Sequence, residues 1–397
     1  MVLEKSKMTL LGIDALSDET LARLRGSRCG LLCNHASVNR DLVHSRFILS
    51  AASGINLSCL FSPQHGFEAE KQDNMIESDH AIDGATGLTV FSLYGDQRRP
   101  TTQMFEGIDV LFVDLNDVGT RVYTFIYTMA YCLEKAAELG TKVIVLDRPN
   151  PIGGLAVEGN LVQPEFSSFV GLYPLPMRHG MTIAELALLF NDGFGLGADL
   201  EIVRMDGWRR SMYFEDTCLP WVFPSPNMPT PSTAKVYPGQ VIWEGTNVSE
   251  GRGTTLPFEL VGAPYWEVEP IARSLADLEL EGCLLRPTLF EPTSGKWAGH
   301  SCRGFQIHVL DHHAFKPYRT SLALYQTVFK LYPEEFSYKE PPFEYEFEKL
   351  PMDLILGDRW LRQQIEAGVS ITELEQQWQT GVDEFMKKRA PYLLYDD

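Results

Sequence analysis

Between residues 61 and 80 the chain reads FSPQHGFEAEKQDNMIESDH. An apolar run is followed there by Gln64, His65, Glu68, Glu70, Asp73, Glu77 and Asp79. Carboxyl groups, an imidazole and an amide at this density supply general acids and bases, or the hydrogen bonds that hold a polyhydroxylated ligand. A solvated loop has the same composition, so the rest of the chain has to decide. Three other short apolar runs end in the same way. RCGLLC at 28–33 runs into Asn34 and His35. IDVLFVDL at 108–115 delivers Asp114, then Asn116, Asp117, Gly119, Arg121 and Tyr123. TKVIVLD at 141–147 ends in Asp147, with Arg148 and Asn150 just beyond.

Each of these has a structural explanation when taken alone. Asp114 or Asp147 could cap a helix or turn, and His35 and His65 could be hydrogen-bonded structural imidazoles. Arg121 and Arg148 could pair with Asp117 and Asp147 to pin loops. Repetition at four strand ends favours a site. A second cluster lies in VIWEGTNVSEGRGTTLPFELVGAPY at 241–265, where Glu244, Asn247, Glu250 and Arg252 alternate with Gly245, Gly251 and Gly253. Glycine lets backbone approach a ligand, and an arginine fork suits a carboxylate; a Gly-rich hairpin with solvated charges is the competing explanation.

Positioning these groups requires a sheet. The apolar runs at 28–33, 57–61, 108–115, 141–147 and 199–205 are of strand length and rich in Val, Ile and Leu. Helical spacing at 39–53 and 123–140, and a capping box of Thr182 and Glu185 before another helix, alternate with them. That order predicts an α/β fold with a Rossmann-like parallel sheet covered on both faces, which binds ligands at the carboxyl ends of its strands. LPWVFPSPNMPTPSTAKVYPG at 219–239 carries six prolines and reads as a linker or as the lining of a site. Beyond it a strand is expected at 304–311 and helices at 319–331 and 371–388. Two domains follow, 1–228 and a smaller 229–397, in keeping with 397 residues.

Bulk properties exclude several classes. A formal charge of −19 with no basic stripe argues against nucleic acid, while a few convergent arginines still permit a small anionic ligand. The seven cysteines are odd in number and three lie in strand-like runs, so buried thiols are expected in place of a disulfide framework. MVLEKSKMTLLGIDAL contains neither a secretory leader nor a membrane span, which makes a cytoplasmic protein the expectation. There is no Walker A sequence, H-E-x-x-H or G-x-S-x-G, and the first strand is not followed by G-x-G-x-x-G. GFGLG at 193–197 follows a helix instead of a strand. No metal or cofactor is expected.

The stretches SPQHGF, GLTVFSLYGDQRRPT, IDVLFVDLNDVGTRVYTFIYTM, VIVLDRPNPIGG, PLPMRHGMTIAELA, WEGTNVSEGRGTTLPFELVGAP and SGKWAGHSCRGFQIHVLD occur here in order. On these the chain resembles the NamZ-like exo-β-N-acetylmuramidases over nearly its whole length. The resemblance implies a Rossmann-like domain joined to a smaller α/β domain, with the site in the cleft between them. It implies an enzyme that releases terminal N-acetylmuramic acid from the non-reducing end of peptidoglycan fragments, so the partner is an amino sugar or muropeptide. In similar members a Glu stands where this chain has Gln64, and an amide cannot donate the proton a glycosidase needs. Glu77 matches a second acidic position and is the nearest substitute, ahead of Glu68 and Glu70. Glu77 with Asp114 or Asp117 would supply the carboxyl chemistry beside His65. Gln64, His65 and Tyr123 would hold hydroxyls or the N-acetyl group, and Arg252, Arg121 or Arg148 the lactyl carboxylate. Asn34, Asp147, Asn150, Glu244, Asn247 and Glu250 complete the expected lining. Two rival readings remain: a hydrolase of another glycoside, with Gln64 marking altered specificity, and a non-catalytic binder of cell-wall sugars.

Overall fold

The computed structural model describes residues 9–72, 75–95, 97–276, 278 and 280–397. Asp73 of the opening stretch, and residues 1–8 of the segment read for a leader, lie outside the described residues. Seven strands form the larger sheet: β1 Arg28–Cys33, β2 Asn56–Ser62, β3 Ala81–Ile82, β4 Thr89–Ser92, β5 Val110–Asp114, β6 Lys142–Leu146 and β7 Leu200–Val203. Their order is β3-β4-β2-β1-β5-β6-β7, and every pair is parallel except β3 with β4. Alternation along each strand explains the continuous apolar runs. Leu31, Leu60, Phe112 and Ile144 face one core, while Leu32, Phe61, Val113 and Val145 face the other.

Three further strands, β8 Leu260–Ala263, β9 Cys283–Phe290 and β10 Cys302–Val309, make an antiparallel sheet in the order β8-β10-β9. The core on the Leu32 side of the large sheet runs without a break into this second region, taking in Trp243, Val261, Phe305 and Tyr325. The final residues return to the first region. The Leu394 N–H donates to Glu185 Oε1 at 2.8 Å, and the Tyr395 hydroxyl donates to Asp147 Oδ2 at 2.5 Å.

The expected helix at 39–53 is shorter, Ser45–Ala51. Asn39 Oδ1 accepts the backbone N–H of Asp41 and Val43 and so folds a turn there, and the His44 ring caps the helix at the Arg46 N–H. The helix Phe125–Leu139 ends on left-handed Gly140 (φ 71°), and Thr182 and Glu185 form the capping box of Ile183–Leu188. Residues 219–239 are not a bare linker: Thr230 caps a helix, Pro231–Gln240, with proline in its first turn. The later helices are Pro317–Leu331 and Ile371–Arg389. All seven cysteines are free thiols. Among the described residues no helix is long and apolar enough to cross a membrane.

Candidate active site

Strand β2 ends at Ser62, and the chain then turns on two successive left-handed residues, His65 (φ 80°) and Gly66 (φ 81°). The positive φ of Gly66 favours glycine there, where the backbone also approaches the Glu70 carboxylate closely. The turn carries Gln64 inward, where it is 5% exposed. Its Oε1 accepts from the Thr124 hydroxyl at 2.7 Å, and its Nε2 donates to Tyr94 Oη at 3.1 Å and to Glu344 Oε1 at 3.2 Å. Tyr94 follows β4, Thr124 precedes the helix Phe125–Leu139, and Glu344 comes from the C-terminal region. The Tyr94 hydroxyl completes the network by donating to Glu344 Oε2 at 2.6 Å while accepting the Met75 N–H at 3.0 Å.

Glu344 is the carboxyl that faces Gln64. Burial pushes it up to about 7 against the hydrogen bonds from Tyr94 and Gln64, and the charge of Glu244 adds to the rise. Glu244 lies on the turn Val241–Gly245 and is ion-paired with Arg252 Nη2 at 2.7 Å. Glu250 accepts from Lys296 Nζ at 2.7 Å and lies 3.5 Å from Arg252 Nε. Burial would raise Glu250, but the charges of Lys296 and Arg252 more than offset it and hold the group below the usual range. One carboxyl in this cleft is therefore raised towards neutrality by burial, opposite another tied to a cation. Environments that separate two carboxyls in this way are how acid and charge-stabilising roles are divided.

Two connected cavities open here. The inner one, about 30 Å³, is lined by Gln64, His65, Tyr123, Ser225, Glu244 and Glu344, among others. The outer one, about 600 Å³, is lined by Met75, Asn247, Glu250, Lys296 and Lys339, among others. Asn227, Glu244 and Arg252 belong to both. Asn227 and Ser225 come from the proline-rich stretch, which lines the site as well as joining the two regions.

Of the residues expected at the site, Gln64, His65, Tyr123, Glu244 and Arg252 meet at the inner cavity, and Asn247 and Glu250 at the outer one. The others are corrections. Glu77 is exposed and lines neither cavity; its Oε1 accepts the Tyr345 hydroxyl at 2.9 Å. Asp114 is fully buried in a bidentate pair with Arg148, at 2.5 and 2.9 Å, so neither group is turned to a ligand. Asp117 caps the turn at the Gly119 N–H (2.8 Å) and lies 3.4 Å from His179. Arg121 is completely enclosed and donates to the carbonyls of Asn160, Leu175, Ile355 and Leu356. Asp147 accepts from the Thr182 hydroxyl and the Ala184 N–H at the start of a helix, and burial raises it to about 7. Asn34 is bonded to Ser37 and Pro224, and Asn150 to Ile152 and Met181. His35 and Glu68 pair with each other at 3.4 Å, away from both cavities.

Sequence reasoning missed Glu344, Tyr94, Thr124 and Lys296. Tyr94 and Thr124 stood inside the quoted motifs SLYGDQ and RVYTF. Glu344 lies in PPFEYEFEKL, where alternating acidic and aromatic residues give no reason to single it out. Backbone strain would have marked it. Nine non-glycine residues among those described have positive φ, and His65, Phe258 and Glu344 of that set line the inner cavity.

Known proteins resemble this chain throughout. Residues 29–232 match the family described as exo-beta-N-acetylmuramidase NamZ, N-terminal, and residues 235–395 match its C-terminal counterpart. A Bacillus subtilis (strain 168) protein described as peptidoglycan beta-N-acetylmuramidase NamZ is 45% identical over 384 residues, covering 97% of this chain and 91% of that protein. Two crystal structures of DUF1343 family proteins from Bacteroides fragilis NCTC 9343 share the architecture. One superposes with a TM-score of 0.87 at 34% identity, covering 98% of this chain and 100% of the other; the second gives 0.75 at 27%, covering 98% and 99%. With both family regions matched in order along almost its full length, the chain belongs to the NamZ exo-β-N-acetylmuramidase family.

Proposed function

We propose that this protein is a glycoside hydrolase that releases terminal N-acetylmuramic acid from the non-reducing end of peptidoglycan fragments, with Glu344 as the proton donor. Membership of the family and the 45% identical Bacillus subtilis relative support the reaction class. The observation that carries the assignment of roles is the Glu344–Glu244 contrast: a buried carboxyl raised to about 7 beside one paired with Arg252. Protonated Glu344 gives its proton to the departing glycosidic oxygen. The Glu244 carboxylate, oriented by Arg252, meets the positive charge that develops on the sugar ring, and water completes the hydrolysis by bonding to the anomeric carbon and giving up its proton to a cleft carboxylate.

Gln64 then has a defined task. Its amide donates to Glu344 and cannot itself titrate, so it orients the acid without competing for the proton. An inner cavity of about 30 Å³ has room for about two water molecules and not for a sugar ring. The ring therefore occupies the outer cavity with its scissile bond at the junction marked by Glu244 and Arg252. Of the three arginines expected to meet a lactyl carboxylate, only Arg252 lines the inner or the outer cavity. Lys339, at the rim and without a carboxylate partner among the described residues, adds the second positive charge. The test is hydrolysis of a chromogenic β-N-acetylmuramic acid glycoside beside the matching N-acetylglucosaminide. Release from the first alone is expected; release from neither, or from the second alone, would refute the proposed substrate.

A further inference from the structure

Glu344 sits at the tip of a hairpin between the helices Pro317–Leu331 and Pro351–Leu356. Phe343 and Glu346 exchange both backbone hydrogen bonds, at 3.0 and 2.9 Å, and the two residues between them are left-handed, Glu344 at φ 46° and Tyr345 at φ 66°. A two-residue turn with both φ positive favours Asn and Gly, and each larger side chain costs roughly 1–2 kcal/mol in that region. A Glu-Tyr pair has no local reason to fold this way. Tertiary contacts must impose the turn, and those of Tyr345 come from the segments that flank β3 and β4. The Arg98 guanidinium lies 3.8 Å from the Tyr345 ring centroid and 5.4 Å from that of Phe169. The Arg98 Nη1 is buried with no hydrogen-bond partner, so the ring faces are its principal contact. The Tyr345 hydroxyl donates to Glu77 at 2.9 Å, and the Tyr94 ring meets Tyr345 edge-on at 5.9 Å.

We propose that Arg98 and Glu77 are positioning residues: by clasping Tyr345 they hold the strained turn that presents Glu344 to the cleft. The proposal rests on Glu344 being the proton donor, as argued above. Neither Arg98 nor Glu77 lines either cavity, so neither touches the substrate. The titratable and charged groups that act on Glu344 are Tyr94 and Arg98 from the segment after β4, Tyr237 and Glu244 from 231–245, and its neighbour Tyr345. Arg98 is the cation in that set, and its removal raises the affinity of Glu344 for its proton.

The experiment measures kcat, KM, the pH profile and thermal stability of full-length variants on the chromogenic muramic acid glycoside. Glu77→Ala and Tyr345→Phe each remove the hydroxyl–carboxylate bond and lower kcat about 10-fold, with KM within about twofold, because displacement of a catalytic group is felt in turnover. Combined, they cost no more than either alone. Glu77→Gln keeps an acceptor oxygen for Tyr345 and restores wild-type kcat, which a catalytic carboxylate would not allow. Arg98→Met lowers kcat roughly 10- to 100-fold and moves the alkaline limb to higher pH. Arg99→Gln serves as control, since Arg99 pairs with Glu134 and stacks on Tyr131. The proposal is overturned by Glu77→Gln as impaired as Glu77→Ala, or by Glu77→Ala and Arg98→Met with wild-type kcat and an unmoved limb. Its failure is separable from that of the acid assignment: an active Glu344→Gln removes the latter, whereas an inactive Glu344→Gln beside wild-type clasp variants removes only the clasp.

Discussion

Replacing Glu344 by Gln separates its chemical role from its effect on stability, and the two should move in opposite directions. The folded protein holds this carboxyl at about 7, against an ordinary value of 4.5. At about 1.36 kcal/mol per unit, keeping it ionised in the folded state costs on the order of 3 kcal/mol above neutral pH. Because the folded value is the higher one, the folded state binds more protons. Stability is therefore lost as pH rises from about 4.5 through 7 and then levels off. Glu344→Gln removes that cost but sets an amide against the Gln64 amide, losing one hydrogen bond of about 1 kcal/mol. The variant should be more stable than wild type by about 2 kcal/mol at pH 8 and no more stable at pH 5, as read by urea denaturation. Its kcat/KM should fall roughly 10²- to 10⁴-fold, the usual contribution of a positioned general acid. Loss should be greatest on a disaccharide and least on a 4-nitrophenyl glycoside, whose leaving group departs with little protonation. Wild-type kcat/KM should decline above about pH 7 with a one-proton slope, and the variant should lack that limb. Wild-type turnover by Glu344→Gln, or equal losses on good and poor leaving groups, would refute the acid assignment.

Other substitutions test the surrounding residues. Gln64→Glu takes a donor from Glu344 and adds a second carboxyl, so the alkaline limb should move to higher pH and stability at pH 8 should fall; an unmoved profile would show that residue 64 does not govern the acid. Arg252→Gln leaves Glu244 without its cation, and about 3–5 kcal/mol of stability should be lost together with turnover, measured by urea denaturation and initial rates. Arg121→Met strips donors from four buried carbonyls and should cost more than about 3 kcal/mol while leaving KM near wild type; a raised KM with intact stability would reinstate Arg121 as a substrate ligand.

The central strands were legible because a parallel strand covered on both faces must be apolar at every position. RCGLLC, LSCLF and VLFVD have no competing explanation of that length. β8 and β9 were not, since β9 alternates between half-buried and exposed positions at a sheet edge and contains Pro287, which weakens its strand signal. The strand-end rule named Gln64, His65 and Tyr123, which line the inner cavity. It misplaced Asp114, Arg121, Asp147 and Arg148 for one physical reason. A polar group at a strand end can serve a ligand or the fold's own unsatisfied donors and acceptors, and residue type does not say which. Arg121 and Asp147 serve backbone, and Arg148 serves Asp114. Glu344 was invisible because its place opposite Gln64 depends on how two regions dock, across 280 residues of chain. Glu77, expected from the resemblance to supply carboxyl chemistry, instead accepts the hydroxyl of Tyr345, the residue next to Glu344.

The return of the last residues to the first sheet has a consequence for synthesis. Asp147 and Glu185 lie in the half of the protein made first, yet each takes a hydrogen bond from Tyr395 or Leu394. While the chain is still growing on the ribosome, those carboxyls lack their final partners and the shared core lacks its second half. The N-terminal sheet can begin to collapse during translation, but it lacks these two hydrogen bonds until residues 394 and 395 have been made. A nonsense mutation at codon 394 should therefore lower the level of folded protein, with every residue of the cleft still encoded.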